Sequence, residues 1–342
     1  MHPSSVGIDR PGRASRVCMT QADPSMGTRE VRVKRDGDGR RLDVYLALRF
    51  PTFSRSEIQR MIRRNQVEIP GRSLKAASTL AHGEILLVTA PGLAPVGPPP
   101  PLPPVLYEDE RLLVVDKPAG MLTHPTGIVF AFSLVGIARE KRPEDKIDLA
   151  HRLDRETSGV SVLTKDRTAN AHLKAAFKAK TTEKIYQAIV HGDPDWETCE
   201  VDFPVGKATR SQIRLRRGVT KEGKAAQTAF RVLKRMGALT LVEARPATGR
   251  THQIRVHLEH LGHPILGDKI YGQPDHTFLH SLTHGPDATV RSATGFPRQA
   301  LHAARLTVPH PDGDRRTFEA PLGVDLQTIV DGASPAWPPP TQ

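Results

Sequence analysis

Cysteine is scarce in this chain: Cys18 and Cys199 are the only two in 342 residues. Two such distant thiols supply neither a disulfide framework nor a zinc-ligand spacing, and they suit a reducing, cytoplasmic compartment. Long apolar runs are also missing, so no membrane-spanning segment is expected. The stretch from Met1 to Gly27 has no apolar h-region, which excludes a secretory signal. Asp9, Pro11 and the lack of an amphipathic period argue against a transit peptide. Residues 1–27 are therefore expected to form a disordered leader. No internal repeat is visible.

What the chain does have is positive charge. Lys plus Arg is 49 against 37 for Asp plus Glu, a net charge of +12 with a pI near 9.9. A basic field favours a polyanionic partner, most often nucleic acid. A basic surface with no such partner is the alternative reading. With 38% hydrophobic residues there is enough apolar material for a packed core.

Order is expected from Thr28, with Val31-Arg32-Val33 alternating like a strand. Leu42, Tyr45 and Leu46 recur at i, i+3, i+4 and predict a helix ending at Phe50-Pro51. Ser54 with Glu57 three residues on is a capping-box arrangement. The helix it opens carries Ile58, Met61 and Ile62 on one stripe, with Arg55, Arg60, Arg63 and Arg64 around it. Val67–Ile69 and Ile85–Val88 then read as a small hairpin. Two short helices, one studded with arginine, make an electrostatic footprint for a phosphate backbone. A solvated charged face is the bland alternative. The segment from Arg41 to Val88 resembles the S4 RNA-binding module, through Arg41-Leu42-Asp43, Ser54-Arg55-Ser56, Val67-Glu68-Ile69 and Gly83-Glu84. It departs from that family at Pro70-Gly71-Arg72, where Asn-Gly-Lys is usual.

Prolines crowd Pro91 to Pro104, a composition that suits a semi-rigid spacer and a domain boundary. The expected division is a leader at 1–27, an S4-like domain at 28–90, a linker at 91–104, a larger domain at 105–330 and a loose tail at 331–342. In the larger domain, Leu112–Val115 is a continuous apolar run of buried-strand type. Val160–Thr164 and Lys184–Val190 also read as strands. Between them, Asp166 or Thr168 caps a helix carrying Leu173 and Phe177.

His151-Arg152-Leu153-Asp154-Arg155-Glu156-Thr157-Ser158-Gly159 places one carboxylate between two arginines, followed by a turn-forming Thr-Ser-Gly. In an extended segment Arg152 and Asp154 share a face, which holds a cation near the acid and favours its ionised form. An ion pair closing a strand end and an active-site acid fit this spacing equally. Tyr186 is either a core tyrosine with a wetted hydroxyl or a stacking platform for a base. Arg214, Arg216, Arg217, Lys221 and Lys224 mark an exposed basic hairpin, which could follow a phosphate backbone or simply protect a sheet edge.

Leu239–Ala244 is a strand and Pro246–Arg250 a turn. A helix follows over about Thr251–Leu261, striped by Ile254, Leu258 and Leu261, with Gly262 as its stop. Arg250 sits where that helix starts; Arg255 lies off the apolar stripe and suits a buried carboxylate or a phosphate. His252, His257, His260 and His263 crowd the stretch, but no carboxylate or cysteine completes a known ligand set. Residues Gly272 to Arg298 read as a polar, irregular loop. Gln299–Leu306 is strand-like, and Phe318–Leu322 closes the domain.

Taken together, the larger domain resembles the RluA-type pseudouridine synthases. The motifs that carry this are Asp116–Gly120 with His124-Pro125, His151–Gly159, Lys184-Ile185-Tyr186, Gly249–His257, Gly262–Asp268, Gln299–Ala303 and Glu319–Leu322. The resemblance implies an α+β fold: a mixed, mostly antiparallel sheet with flanking helices and a central cleft, preceded by the small α/β S4-like module. It implies isomerisation of uridine to pseudouridine in RNA by a monomer, with no cofactor and no metal. Asp154 would attack C1′ of the ribose or remove its 2′ proton. The glycosidic bond breaks, the uracil turns over, and C5 bonds to C1′. Tyr186 would stack on the detached base and help remove the C5 proton, and Arg255 would pair with Asp154. Arg152, Arg250 and His252 would bind substrate, with Arg152 entering the space left by the flipped uridine. Arg55, Arg60, Arg63 and Arg64 would bind RNA in the S4-like module. That module favours ribosomal over transfer RNA. The rival from another class is a non-catalytic RNA-binding ribosome-assembly factor on the same scaffold. Two departures, Thr126–Leu134 and Gly272–Arg298, lie where substrate selection is expected.

Overall fold

The computed structural model describes residues 26–50, 53–91, 100–124, 132–285 and 287–333. Most of the expected leader, residues 92–99 of the spacer and the tail from 334 lie outside the described residues.

The N-terminal unit runs β1 (Met26–Arg32), a 3-10 turn (Arg35–Gly37), α1 (Leu42–Arg49), α2 (Arg55–Arg63), β2 (Val67–Glu68) and β3 (Ile85–Pro91). The capping box is present: Ser54 Oγ accepts from Glu57 N at 3.3 Å and Glu57 Oε2 accepts from Ser54 N at 2.6 Å. Ile58, Met61 and Ile62 are buried, as the stripe requires. The expected pairing of β2 with β3 is present, and β1 adds to the other edge of β3, giving a three-stranded antiparallel sheet in the order β1-β3-β2. β1 extends further back than the Val31–Val33 alternation shows, because in polar Gly27-Thr28-Arg29 pairing with β3 rather than side-chain pattern holds the chain extended. The unit closes its own core around Leu42, Leu46, Ile58, Leu86 and Val88.

The remainder contains β4 (Val105–Glu108), β5 (Leu112–Lys117), α3 (Leu134–Lys141), β6 (Asp148–Leu149), β7 (Ser158–Thr164) and α4 (Arg167–Ala179). Next come β8 (Glu183–His191), β9 (Thr198–Asp202), β10 (Val205–Lys207), β11 (Arg217–Val219), β12 (Gln227–Met236) and β13 (Leu239–Pro246). It ends with α5 (Gln253–His260), α6 (Asp275–His284), α7 (Ala288–Thr294), β14 (Leu301–Pro309), β15 (Arg315–Glu319) and α8 (Val324–Val330). Ten strands form one sheet in the order β4-β5-β7-β14-β8-β13-β12-β9, with β15 on β14 and β6 on β7. Every pairing among the described strands is antiparallel except β7 with β14.

The apolar run of β5 is explained by burial on both faces. Leu112 and Val114 join one core cluster and Leu113 and Val115 another. At the parallel junction the expected turn at Thr157-Ser158-Gly159 is corrected. Ser158 and Gly159 already pair with His302 and Ala303. Gly159 is needed because its φ is +107° and a Cβ there would clash with the Ala303 carbonyl oxygen. The expected irregular loop at Gly272–Arg298 is also corrected, because it holds α6 and α7. Caps rather than an apolar stripe define α7: Asp287 accepts from Val290 N, and Gly295 closes its end at φ +68°. α3, β9, β12 and α8 were not read from the sequence.

Candidate active site

Asp154 sits in the chain just ahead of β7, where the sheet changes from antiparallel to parallel. Its segment is tied from several sides. His151 Nε2 accepts from Val162 N at 3.0 Å, and its ring stacks on Phe177 at 5.1 Å. Burial, helped by the Lys184 charge, pushes this imidazole down to about 4, so it is neutral as that acceptor role requires. Thr123 Oγ1 donates to Leu153 O at 2.7 Å, and Gly120 N donates to Arg155 O at 2.8 Å. Lys117 is fully buried, and its Nζ reaches the carbonyls of Pro118, Met121 and Arg155 at 2.9, 3.0 and 3.2 Å. On the C-terminal side, Glu156 accepts from Lys269 Nζ and Gln299 N at 2.7 and 3.1 Å. The aspartate is thus presented by a braced loop rather than by a regular strand. The alternation still holds in burial: Leu153 is buried and Arg152 exposed.

Arg255 comes from α5. Its Nη1 donates to Asp154 Oδ2 at 3.0 Å, while Nε and Nη2 donate to both oxygens of Asp268 at 2.6 and 2.9 Å. Asp268 is fully buried and also accepts from Ile270 N and Tyr271 N at 2.9 and 3.1 Å. Burial alone would raise its carboxyl, but the Arg255 charge and these hydrogen bonds outweigh it and hold it below the usual range. The bidentate grip fixes the plane of the guanidinium, so its remaining arm can only point where Asp154 waits. Arg255 is buried although it lies off the apolar stripe of α5, because this carboxylate replaces the water it would otherwise need.

His252 lies immediately before α5 in the left-handed region, φ +59°. Its Nε2 is 3.8 Å from Asp154 Oδ2, and its Nδ1 is 2.8 Å from Tyr271 Oη. Burial, with the Arg255 charge, pushes this imidazole down to about 4. Tyr186, on β8, lines the same cleft of about 110 Å³ with Arg152, Asp154, Lys184, Arg250 and Arg255. Burial, then the Asp154 charge, raises its phenol above the ordinary value, so it keeps its proton.

The structure therefore brings together Asp154, Tyr186, Arg255, Arg152, Arg250 and His252 in one cleft. Arg152 makes no ion pair among the described residues; the cation beside Asp154 is Arg255, as the resemblance implies, and not the sequence neighbour that local alternation suggests. Arg250 stands at the rim, with Nε donating to Ala225 O at 3.0 Å. Among the arginines of α2, Arg55 is spoken for: its Nε and Nη2 both lie 3.0 Å from Asp43 Oδ2. Arg60, Arg63 and Arg64 are exposed and make no ion pair among the described residues. The histidines of the Gly249–His263 stretch face separate partners. His257 spans Thr228 Oγ1 and Phe203 O, His260 meets the Phe203 ring, and His263 Nδ1 donates to His191 O.

Sequence reasoning gave no role to Asp268, Tyr271, Lys184 or Gln253. Gln253 braces the Thr248–Arg250 turn, accepting from Thr248 Oγ1 and Arg250 N at 2.7 and 3.0 Å. Lys184 Nζ donates to Thr248 O at 3.1 Å, and burial with the Lys180 charge lowers it to about 8. Asp268, Lys184 and Gln253 stand inside the motifs already noted; their pairing across space was the missing signal.

Residues 111–260 match the RNA pseudouridylate synthase family model. The chain is 38% identical over 311 residues to a protein of Chloroflexus aurantiacus named as an uncharacterized RNA pseudouridine synthase, covering 85% of this chain and 89% of that one. It is 34% identical to ribosomal large subunit pseudouridine synthase C of Vibrio cholerae, covering 87% and 94%. It is 36% identical to ribosomal large subunit pseudouridine synthase D of Xanthomonas campestris, covering 85% and 88%. Among solved structures, human RNA pseudouridylate synthase domain containing 4 aligns with a TM-score of 0.51 at 25% identity, covering 66% of this chain and 91% of that one. The α+β architecture, the carboxylate-bearing cleft and these similarities agree: the chain belongs to the RluA-type RNA pseudouridine synthases, isomerases that make pseudouridine in RNA.

Proposed function

We propose that this synthase modifies uridines in large-subunit ribosomal RNA, with Asp154 as the reacting carboxylate. The observation that carries the assignment of Asp154 is its position in the cleft beside Tyr186, held by an arginine that is itself locked onto buried Asp268. A carboxylate so aimed can attack C1′ or take the 2′ proton, and either route needs it anionic and fixed. Tyr186 offers a flat face to the detached uracil. Its phenol holds its proton tightly, so it takes up the C5 proton only as its own hydroxyl proton passes to solvent water, and it does not act as a standing phenolate. Arg152, exposed and unpaired among the described residues, fills the space of the flipped nucleotide, while Arg250 and His252 contact the RNA at the cleft.

The ribosomal target is supported by the relatives named for it. The proposed division is an S4-like module at 28–90, a spacer at 91–104 and the catalytic domain at 105–330. In the first, Arg60, Arg63 and Arg64 meet the phosphate backbone. The enzyme works as a cytoplasmic monomer and needs no cofactor.

The test is a pseudouridine map of total RNA from cells lacking the protein, complemented by the wild-type chain or by Asp154→Asn. Sites in large-subunit ribosomal RNA should vanish, return with the wild type and stay absent with the variant. Lost sites confined to transfer RNA would replace the ribosomal target, and sites restored by Asp154→Asn would remove Asp154 from the chemistry.

A further inference from the structure

Two groups converge on a single oxygen of Asp154. Arg255 Nη1 lies 3.0 Å from Oδ2, and His252 Nε2 lies 3.8 Å from the same atom. Among the described residues nothing bonds Oδ1, although the side chain is 28% exposed. The state of the imidazole is legible from its other side. The backbone N–H of Arg217, the first residue of β11, donates to Tyr271 Oη at 2.9 Å. An amide can only donate, so this bond uses an acceptor site of the phenol and leaves the hydroxyl proton to be given away. The neighbour at 2.8 Å is His252 Nδ1. When that proton goes to Nδ1, the nitrogen is bare and the imidazole proton resides on Nε2, the atom facing Asp154. The opposite tautomer would aim a lone pair at a carboxylate oxygen.

We propose that Tyr271 is a positioning residue that locks His252 as its Nε2–H tautomer, so that a neutral donor and Arg255 share Oδ2 and Oδ1 is left as the reacting oxygen. The inference rests on the reading of Asp154 as the reacting carboxylate. The 3.8 Å gap exceeds a hydrogen bond and closes in the substrate complex, as catalytic hydrogen bonds commonly do.

The surroundings keep His252 neutral for this task. Burial, together with the charges of Arg255 and Arg217, outweighs the opposing pull of Asp154 and Asp268. Tyr271 in turn is held firmly. It is 1% exposed and packs with Val205, Ile213, Val256 and Ile270, and the Arg255 guanidinium sits 4.8 Å above its ring. Removing only its hydroxyl leaves that packing in place.

Long-range proton–nitrogen spectra of the nitrogen-15-labelled full chain test this, with His252→Gln identifying the resonances. The wild type should show Nε2 protonated and Nδ1 bare, unchanged from pH 7 to about pH 5. Tyr271→Phe should mix the tautomers and lower kcat about tenfold, with KM for RNA within about twofold. Turnover is read as tritium release from RNA labelled at uridine C5, taken from cells lacking the protein. A wild-type imidazole protonated on Nδ1 overturns the proposal. So does a Tyr271→Phe chain in which tautomer and kcat do not change together. Should that variant fail to fold, His252→Gln, whose amide can replace the donor, must keep about tenfold more kcat than His252→Ala; equal losses overturn the idea. Full turnover in Asp154→Asn would instead sink the underlying reading, whatever the tautomer.

Discussion

Asp43 in the N-terminal unit and Asp268 beside the cleft are both buried carboxylates that gather arginine, and they use it to opposite ends. Asp43 is fully buried and accepts from Arg41, Arg55 and Gln59, yet the two arginine side chains remain 49% and 53% exposed. One acid with two arginines leaves a net positive charge facing solvent. Asp268 is equally buried, but its arginine is only 7% exposed and serves Asp154 as well. Two acids with one arginine leave a net negative charge, carried by the acid that meets the cleft. The same pair of residue types thus builds a cationic surface suited to phosphate in one unit and a held anion in the other. Stoichiometry and access to water decide which.

The largest effect expected is on Asp154. Asp154→Asn should lower turnover by about 10³-fold or more while leaving RNA affinity within about threefold; tritium release and filter binding measure the two. If affinity fell with turnover, the negative charge would be serving structure rather than chemistry.

Second, Asp268→Asn leaves a buried guanidinium with half its partners and should cost about 3–5 kcal/mol in urea unfolding. Asp43→Asn should cost only about 1–2 kcal/mol, because its arginines can turn to water. Equal costs would erase the distinction drawn from exposure.

Third, stability should depend on pH through the cleft domain. His151 and His252 are pushed down to about 4 from 6.5, so the unfolded chain binds more protons than the native one between those values. Stability is therefore level above about pH 6.5 and falls as pH drops toward 4, on the order of 1–2 kcal/mol per imidazole by pH 5. Denaturation midpoints at pH 7, 6 and 5 give the slope, and a flat profile would mean that these imidazoles are not buried neutral.

The smallest effect concerns the other side of the comparison. Replacing Arg60, Arg63 and Arg64 by Gln should make the slope of log affinity against log salt shallower by about 2–3, with fold stability unchanged. An unaltered slope would leave the N-terminal cations without a phosphate to meet.

Short-range features of this molecule were readable in advance. The capping box at Ser54, the stripe of α2, the doubly buried run of β5 and the stop at Gly262 each depend on neighbours a few residues away. Features that depend on remote chain were misread or missed. Gly159 looked like a turn residue because nothing in its own segment shows the Ala303 carbonyl against which it packs. α6 and α7 looked like a loop because their polar sequence shows no apolar stripe; Asp287 caps α7, and Phe278 of α6 packs on the Tyr271 cluster. Adjacency by itself points to Arg152 as the cation beside Asp154, and only the motif resemblance pointed to Arg255.

By itself the sequence determined the elements with a clear period or cap, the basic charge and a set of motifs specific enough to name the chemistry, since periodicity, caps and motif spacing are local properties. The tertiary structure supplied the geometry of the acid–cation pairing that the motifs only implied. Arg255 lies 101 residues from Asp154 in the chain, and only the fold brings Nη1 within 3.0 Å of Oδ2. A charge interaction depends on distance and desolvation, which neither adjacency nor composition encodes.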